Sequence, residues 1–339
     1  MIFVLGIFGV FLFYTIFFTE DPYEKFLLIM PVFLLSIYTG TRINVGGYDY
    51  HVYKYFYELP YFQNPYGYEY FFILLRDFSK FLGLNYNFFL LFLSFIFNFI
   101  IYKLFISYSR YPTLSFLIYL STFYYWHNFT IIRNFIAIII FWISLKYIFE
   151  KKLFTYILLV TLACFFHKTA IILYPLYFLL NYRFTKKSLS FLFILSFIIN
   201  PLSFIIFKLN ILFLGLSDRL NRYSHIIEHG NFYEFLELLI FVIILLFYLK
   251  DSTQKENILL NLNIFALFIF ISFYRFAIIL RVLDYFRLGI FIGIPFIIFN
   301  ISNKYLKYLS FIILCSYLVF KYYNTITDYA IYNYQTWLI

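Results

Sequence analysis

At 339 residues the chain is 64% apolar and only 12% charged, with a mean hydropathy of +0.86, far from the roughly 45 to 50% apolar and 25% charged of soluble domains. A soluble globular protein is excluded, because 53 Phe and 37 Tyr carry more apolar surface than one core of this length can hide, and lipid must solvate the rest. The formal charge of +10 falls largely in short loops, where it marks membrane topology, and no nucleic-acid partner is expected.

The run from Ile2 to Phe18 lacks a basic start and a small-residue cleavage site, so it reads as a retained span. About twelve membrane-spanning or re-entrant helices are expected in one transmembrane domain over 1–339, at roughly 2 to 18, 26 to 39, 87 to 106, 112 to 126, 130 to 149, 153 to 166, 168 to 181, 188 to 214, 233 to 249, 258 to 275, 286 to 301 and 304 to 320. The two flanking His167 are short, consistent with a buried hairpin as much as with two passes. The run from 188 to 214 contains Asn200 and Pro201, where a kink or break is expected. Cys164 and Cys315 lie inside apolar runs and offer neither a disulfide framework nor a metal site.

Cationic clusters recur at every second loop: Lys103 with Arg110, Lys146 with Lys151 and Lys152, Arg183 with Lys186 and Lys187, Lys250 with Lys255, and Lys304 with Lys307. These loops should face the cytoplasm. Both termini and two longer polar segments, about 40 to 86 and 216 to 233, then lie on the outer face. Lysine dominates the cytoplasmic loops, whereas of ten arginines only Arg110 and Arg183 fall there. Arg42, Arg76, Arg133, Arg219, Arg222, Arg275, Arg281 and Arg287 map to the outer half. The planar guanidinium suits phosphate and carboxylate, so this division points to an anionic ligand on the outer side.

In the first outer loop, Arg42-Ile43-Asn44-Val45-Gly46-Gly47-Tyr48-Asp49-Tyr50 has paired glycines that permit a tight turn bringing Arg42 near Asp49, with Tyr48 and Tyr50 available to stack on sugar rings. Asp49 reads equally as a salt-bridge partner of Arg42 and as a catalytic carboxylate. Arg133, in Thr130-Ile131-Ile132-Arg133-Asn134, sits about one turn inside an apolar helix, a placement that costs about 2.5 to 3.5 kcal/mol on insertion scales. His167 and Lys168 stand at the tip of the short helix pair, on the same side of the membrane as Arg133. Later come Asp218-Arg219-Leu220-Asn221-Arg222, then Arg275, then Arg281-Val282-Leu283-Asp284-Tyr285-Phe286-Arg287, where Arg281 and Asp284 can share a helix face. Ion pairs that only hold loops would explain these clusters as well. His225, Glu228 and His229 have metal-compatible spacing, but two histidines in an exposed loop do not make a zinc site. No Walker loop, Rossmann fingerprint or nucleophile elbow is present, so neither a nucleotide cofactor nor serine hydrolase chemistry has support.

At these residues the chain resembles the EpsG family of exopolysaccharide membrane proteins, which is similar to the Wzy group of O-antigen and capsule polymerases. The resemblance rests on Arg42 with Gly46 to Tyr50, on Arg133 to Ala137, on His167 to Ala170 followed by Tyr174-Pro175, and on Arg281 to Tyr285. The family's helix motif more often reads Arg-Gln; Asn134 here keeps the amide on a shorter side chain. The resemblance implies an all-α glycosyltransferase of the membrane-embedded C-type fold, acting on the periplasmic side of the inner membrane without metal or cofactor. It would join lipid-linked repeat units, using undecaprenyl diphosphate as leaving group, with inversion at the anomeric carbon.

In that reading Arg133, Arg281, Arg42, Arg219, Arg222, Arg275 and Arg287 hold diphosphate. His167 orients or deprotonates the acceptor hydroxyl, with Asp49 as the substitute base. Tyr48, Tyr50, Asn134, Lys168 and Tyr285 line the acceptor sugars. The partners are lipid-linked oligosaccharide donor and acceptor, the bilayer, and a chain-length regulator. Three other readings stay open: a transferase adding one sugar from a polyprenyl phosphate, an O-antigen ligase, and a lipid-linked oligosaccharide flippase, which is a transporter.

Overall fold

The computed structural model describes residues 2–213, 230–248, 253–328 and 331–338. The chain opens with α1 (Ile2–Phe18), α2 (Glu24–Leu27), α3 (Ile29–Gly40) and a two-residue strand β1 (Arg42–Ile43). The first polar segment folds as two helices, α4 (Gly47–Glu58) and α5 (Tyr70–Phe81). Then come α6 (Tyr86–Tyr108), α7 (Pro112–Thr122), a π-helical turn at Trp126–Thr130, α8 (Ile132–Phe149), α9 (Leu153–Phe166) and a 3-10 helix at Lys168–Leu173. The remainder is α10 (Leu176–Asn181), α11 (Lys186–Phe213), α12 (Phe232–Tyr248), α13 (Gln254–Ser272), α14 (Ala277–Leu280), a 3-10 helix at Arg281–Phe286, α15 (Leu288–Phe299), α16 (Lys304–Asp328) and β2 (Gln335–Thr336).

Local chemistry sets several of these boundaries. The Asn85 side chain accepts from Phe88 N at 3.0 Å and starts α6. Pro112 opens α7, where its missing N–H costs nothing. Thr253 and Glu256 close a capping box on α13. Gly46, at φ 121°, turns the chain into α4, with the Phe129 carbonyl 3.0 Å from where a Cβ would stand.

Tyr86–Tyr108, Ile132–Phe149, Gln254–Ser272 and Lys304–Asp328 are long and apolar enough to cross a membrane, and Val4–Phe18, Leu153–Phe166 and Leu288–Phe299 are apolar but shorter. Large side chains such as Phe99, Phe154 and Ile312 point outward, an arrangement that only lipid can solvate at this density. The chain is an all-α membrane protein. Two expectations change. The stretch expected as a helix over 168 to 181 is a 3-10 helix followed by a six-residue helix, because Pro175 cannot continue the ladder from above. Of the kink or break expected at Pro201, the break does not occur: α11 continues through it, the proline removing only the one N–H that the Phe197 carbonyl, four residues back, would have accepted from.

The chain divides into two compact units, Met1–Tyr174 with Ile294–Ile339, and Pro175–Gly293. In the first, α3 packs on α6, α8 on α9, and α7 between α1 and α16. Asn98 Nδ2 donates to Ser36 Oγ at 3.1 Å and Tyr124 Oη at 3.0 Å, and Ser94 Oγ donates to Ser36 O at 2.7 Å, a polar network of the kind that holds helices together in lipid. β1 and β2 pair antiparallel, Arg42 opposite Thr336. In the second unit, Asn261 Nδ2 donates to Leu180 O at 2.8 Å and Tyr182 O at 2.7 Å, tying α13 to the carbonyl end of α10.

The α3–α6 contact yields a test. A Cβ on Gly40 would stand 2.6 Å from Leu91 Cα. Replacing glycine by alanine within a helix normally gains about 1 kcal/mol, but a backbone contact this short reverses the sign. Gly40→Ala is expected to destabilise the protein by about 1 to 3 kcal/mol, read as a lower Tm in detergent; an unchanged Tm would mean that the two helices separate freely.

Candidate functional site

Four segments of the first unit meet around one carboxylate. α8 and α9 form an antiparallel hairpin through residues 150–152, so the start of α8 and the end of α9 lie side by side. That places Arg133, in the first turn of α8, near His167, the residue following α9. α5 packs on α9 through Phe71, whose ring lies 4.7 Å from that of Phe165 and 5.8 Å from that of Phe166. The residue before α5 is thereby brought to the end of the hairpin. That residue is Glu69.

Glu69 does not cap its own helix. Its Oε2 accepts from Arg133 Nη1 in a short ion pair, and its Oε1 lies 3.7 Å from His167 Nδ1 and 3.3 Å from the Lys168 amide nitrogen, which donates to it. The Arg133 guanidinium sits over the Tyr68 ring at 3.9 Å, a cation–π contact favoured by partial desolvation. Tyr53, from α4, lies close enough to Arg133 for the guanidinium to act on its phenol. Burial pushes the Tyr53 and Tyr68 phenols above their ordinary range, against the pull of Arg133, so both remain O–H donors at neutral pH. Asp49, half-buried in the first turn of α4, is near enough to raise both phenols further.

A second cluster holds the loop that carries Glu69. Fully buried Arg76 donates to Asp77 Oδ1 at 2.7 Å and to the carbonyls of Gln63 at 2.8 Å, Phe56 at 3.2 Å and Pro60 at 3.4 Å, stacking on the Phe56 ring at 4.4 Å. Asp77 Oδ2 accepts from Phe62 N at 2.9 Å. Asn64 clasps the Tyr68 backbone from both sides, accepting from Tyr68 N at 2.7 Å and donating to Tyr68 O at 2.9 Å. The connection between α4 and α5 is thus pinned up to the residue before Glu69.

The residues singled out in the sequence divide sharply. Arg133, His167, Lys168 and Asp49 come together, with Asn134 buried beside them in α8. Arg42, expected at a diphosphate, is instead 2% exposed: it donates to Thr39 O at 2.7 Å and Asn128 O at 3.0 Å, and stacks on Phe129 at 4.3 Å. The cavity beside it is about 10 Å³, room for one water and not for a diphosphate. Tyr50 and Tyr285 are buried packing residues, Tyr50 edge-on to Tyr86 at 5.5 Å, and do not present faces to a sugar. In the second unit Arg287 is buried and paired with Glu234, with Asp284 at 3.9 Å, while Arg275 and Arg281 are exposed. Arg219, Arg222, His225, Glu228, His229 and the Tyr48 side chain lie outside the described residues.

The model of the EpsG family matches residues 25–336, which includes every segment of the cluster. The chain belongs to the EpsG family. No curated protein and no solved structure matches it. Membership gives this EpsG-family protein a polymerase-like role in exopolysaccharide biosynthesis, carried out by a membrane-embedded chain.

Glu69 is the residue that sequence reasoning missed. An arginine inside an apolar helix calls for a compensating anion, and the segment from 40 to 86 contains four carboxylates, Asp49, Glu58, Glu69 and Asp77; that count was the available signal. The Arg76 clamp supplies a test. Arg76→Leu leaves Asp77 buried without its cation, a change that costs about 3 to 5 kcal/mol. The expected result is rapid proteolysis between 59 and 69 in the purified protein; protection equal to wild type would show that the loop holds without it.

Proposed function

We propose that this EpsG-family protein is a Wzy-type glycosyltransferase that joins lipid-linked oligosaccharide repeat units at the outer side of the cytoplasmic membrane. The growing glycan, carried on undecaprenyl diphosphate, is transferred to the terminal hydroxyl of an incoming lipid-linked repeat unit, with inversion at the anomeric carbon. The observation that carries this reading is the convergence of a guanidinium, an imidazole and a backbone amide on one pair of oxygens. Such a donor set fits phosphate oxygens as well as it fits a carboxylate.

In this scheme Arg133 holds the donor diphosphate and stabilises the charge that gathers on it as the glycosidic bond breaks, a preorganised electrostatic role. The Lys168 amide and the Tyr53 and Tyr68 hydroxyls add donors to the same anion. His167 orients the acceptor hydroxyl or takes its proton, for which an imidazole is suited near neutral pH. Asp49 lies across the phenols as an acceptor for sugar hydroxyls. Arg275 and Arg281 are proposed as further phosphate contacts, each in its own right. Arginine supplies the positive charge, so no metal enters the scheme. The roughly twelve spans, the C-type fold, a single functional domain and a chain-length regulator belong to the same proposal.

The test is genetic and biochemical. Arg133→Ala and His167→Ala, each present at normal membrane levels, are expected to abolish long-chain glycan while single repeat units persist, a loss of about 100-fold or more in polymerisation for each. Wild-type chain length in either variant rejects the role of that residue. In liposomes with purified lipid diphosphate oligosaccharide, a ladder of products is expected; addition of a single sugar, or movement of the lipid without bond formation, favours the rival activities.

A further inference from the structure

The donor cluster is already full. Glu69 occupies the place where the proposed anion belongs, its two oxygens taking the hydrogen bonds of Arg133 Nη1 and the Lys168 amide. Arg133 uses one edge of its fork for this, and its Nε has no hydrogen-bond partner among the described residues. A guanidinium held through a single nitrogen keeps donors in reserve, unlike Arg76, whose fork spends every nitrogen on fixed partners. A diphosphate offers more oxygens than a carboxylate and more charge, and can claim the guanidinium through two of them.

Displacement need not move the backbone. Tyr68 is clasped by Asn64 and the loop behind it is clamped by Arg76 and Asp77, so the Glu69 carboxylate can turn away only by rotation of its own side chain. It then stays beside His167, from which Oε1 now stands 3.7 Å, with its lone pairs no longer engaged by Arg133.

We propose that Glu69 is the catalytic base of this chain, masked by Arg133 in the empty site and released when the donor's diphosphate takes its place. The inference rests on the donor reading given above and deepens it. In the reaction, the acceptor hydroxyl oxygen forms its bond to the anomeric carbon of the donor. The bond from that carbon to the diphosphate oxygen breaks, its electron pair leaving on the diphosphate held by Arg133. The hydroxyl proton passes to the Glu69 carboxylate, and His167 orients the hydroxyl. Because the base is freed only when diphosphate is bound, the acceptor cannot be deprotonated ahead of donor loading.

The experiment uses the full chain purified in detergent, with inorganic pyrophosphate as binding probe and lipid diphosphate oligosaccharide as substrate. Glu69→Gln removes the competing charge and the base together. It is expected to bind pyrophosphate at least about tenfold more tightly than wild type, since like charge in one site is costly, and to lower KM for the donor while kcat falls about 100-fold or more. Glu69→Asp, which keeps the charge but withdraws it by one methylene, should also bind pyrophosphate more tightly than wild type, and it serves if the glutamine variant does not fold. Unchanged or weaker pyrophosphate binding in the folded variants overturns the inference, and so does a wild-type kcat. A residue that merely latched the loop would raise KM and would not tighten binding. If Arg133→Ala loses pyrophosphate binding and polymer while Glu69→Gln binds like wild type, the exchange fails and the donor reading stands. If Arg133→Ala keeps both, the donor reading itself is lost.

Discussion

A guanidinium removed from water must find its compensation inside the protein, because an uncompensated buried charge costs far more than folding can spare. The buried Arg42 and Arg76 and the half-buried Arg133 meet that demand in different ways. Arg42 has no carboxylate partner among the described residues and leans on two carbonyls and the face of Phe129. Arg76 takes the carboxylate next to it in sequence and three carbonyls of one loop. The Arg76 solution is local and engages all three nitrogens of the fork, while Arg42 is sealed in a cavity too small for a ligand and keeps only its Nε without a hydrogen-bond partner among the described residues. Arg133 takes a carboxylate 64 positions away through one nitrogen, which leaves its binding capacity partly unspent. The difference sets Arg133 apart from arginines that serve only to build the protein, and it is what the proposed binding role draws on.

That placement depends on helix ends more than on helix bodies. Residues 150–152 reverse the chain with Lys151 in the left-handed region, φ 56°, so α8 and α9 bring Arg133 and His167 to one end. The Phe71 rings fix α5 against α9, and the Asn64 and Arg76 contacts fix the segment leading to α5. Each of these is an ordinary packing or loop interaction. Together they determine where one carboxylate can stand, and a preorganised site requires that its groups be held by such packing.

Much of this was readable before any coordinates. Arg133 inside an apolar run, and His167 at the tip of a short pair on the same side, follow from hydropathy and from the two-way passage of a hairpin, and the structure joins them through Glu69. Hydropathy also located the long helices, since apolar runs near 20 residues admit few other readings. It was blind to α4 and α5, whose amphipathic faces mix tyrosine and charge, and to the carboxylate between them. Pairing between residues far apart in sequence leaves no trace in a local window. Arg42 misled for a related reason: a guanidinium can be satisfied by carbonyls and a ring, and composition cannot distinguish that from a phosphate site. The continuity of α11 through Pro201 is equally hidden from a local window, since a proline removes one rung of the ladder without having to end the helix.

The α8–α9 hairpin carries the contrast between lysine and arginine within a single element. At its turn, Lys146 and Lys152 flank Glu150 at 3.6 Å and 2.7 Å, with both lysine side chains largely exposed; such pairs contribute little to stability and are screened by salt. At the other end, one 18-residue helix away and so about 27 Å along the axis, Arg133 is enclosed by two tyrosines, an imidazole and a carboxylate. The exposed ammonium groups can exchange counter-ions freely and hold none of them. The enclosed guanidinium can exchange its partner only for an anion that brings at least as many hydrogen-bond acceptors, since anything less leaves a charge unmet in a poorly hydrated place. In the proposed scheme, selectivity for a diphosphate over a simple halide or a lone carboxylate follows from that enclosure, which sets the Arg133 end of the hairpin apart from the solvated lysine end.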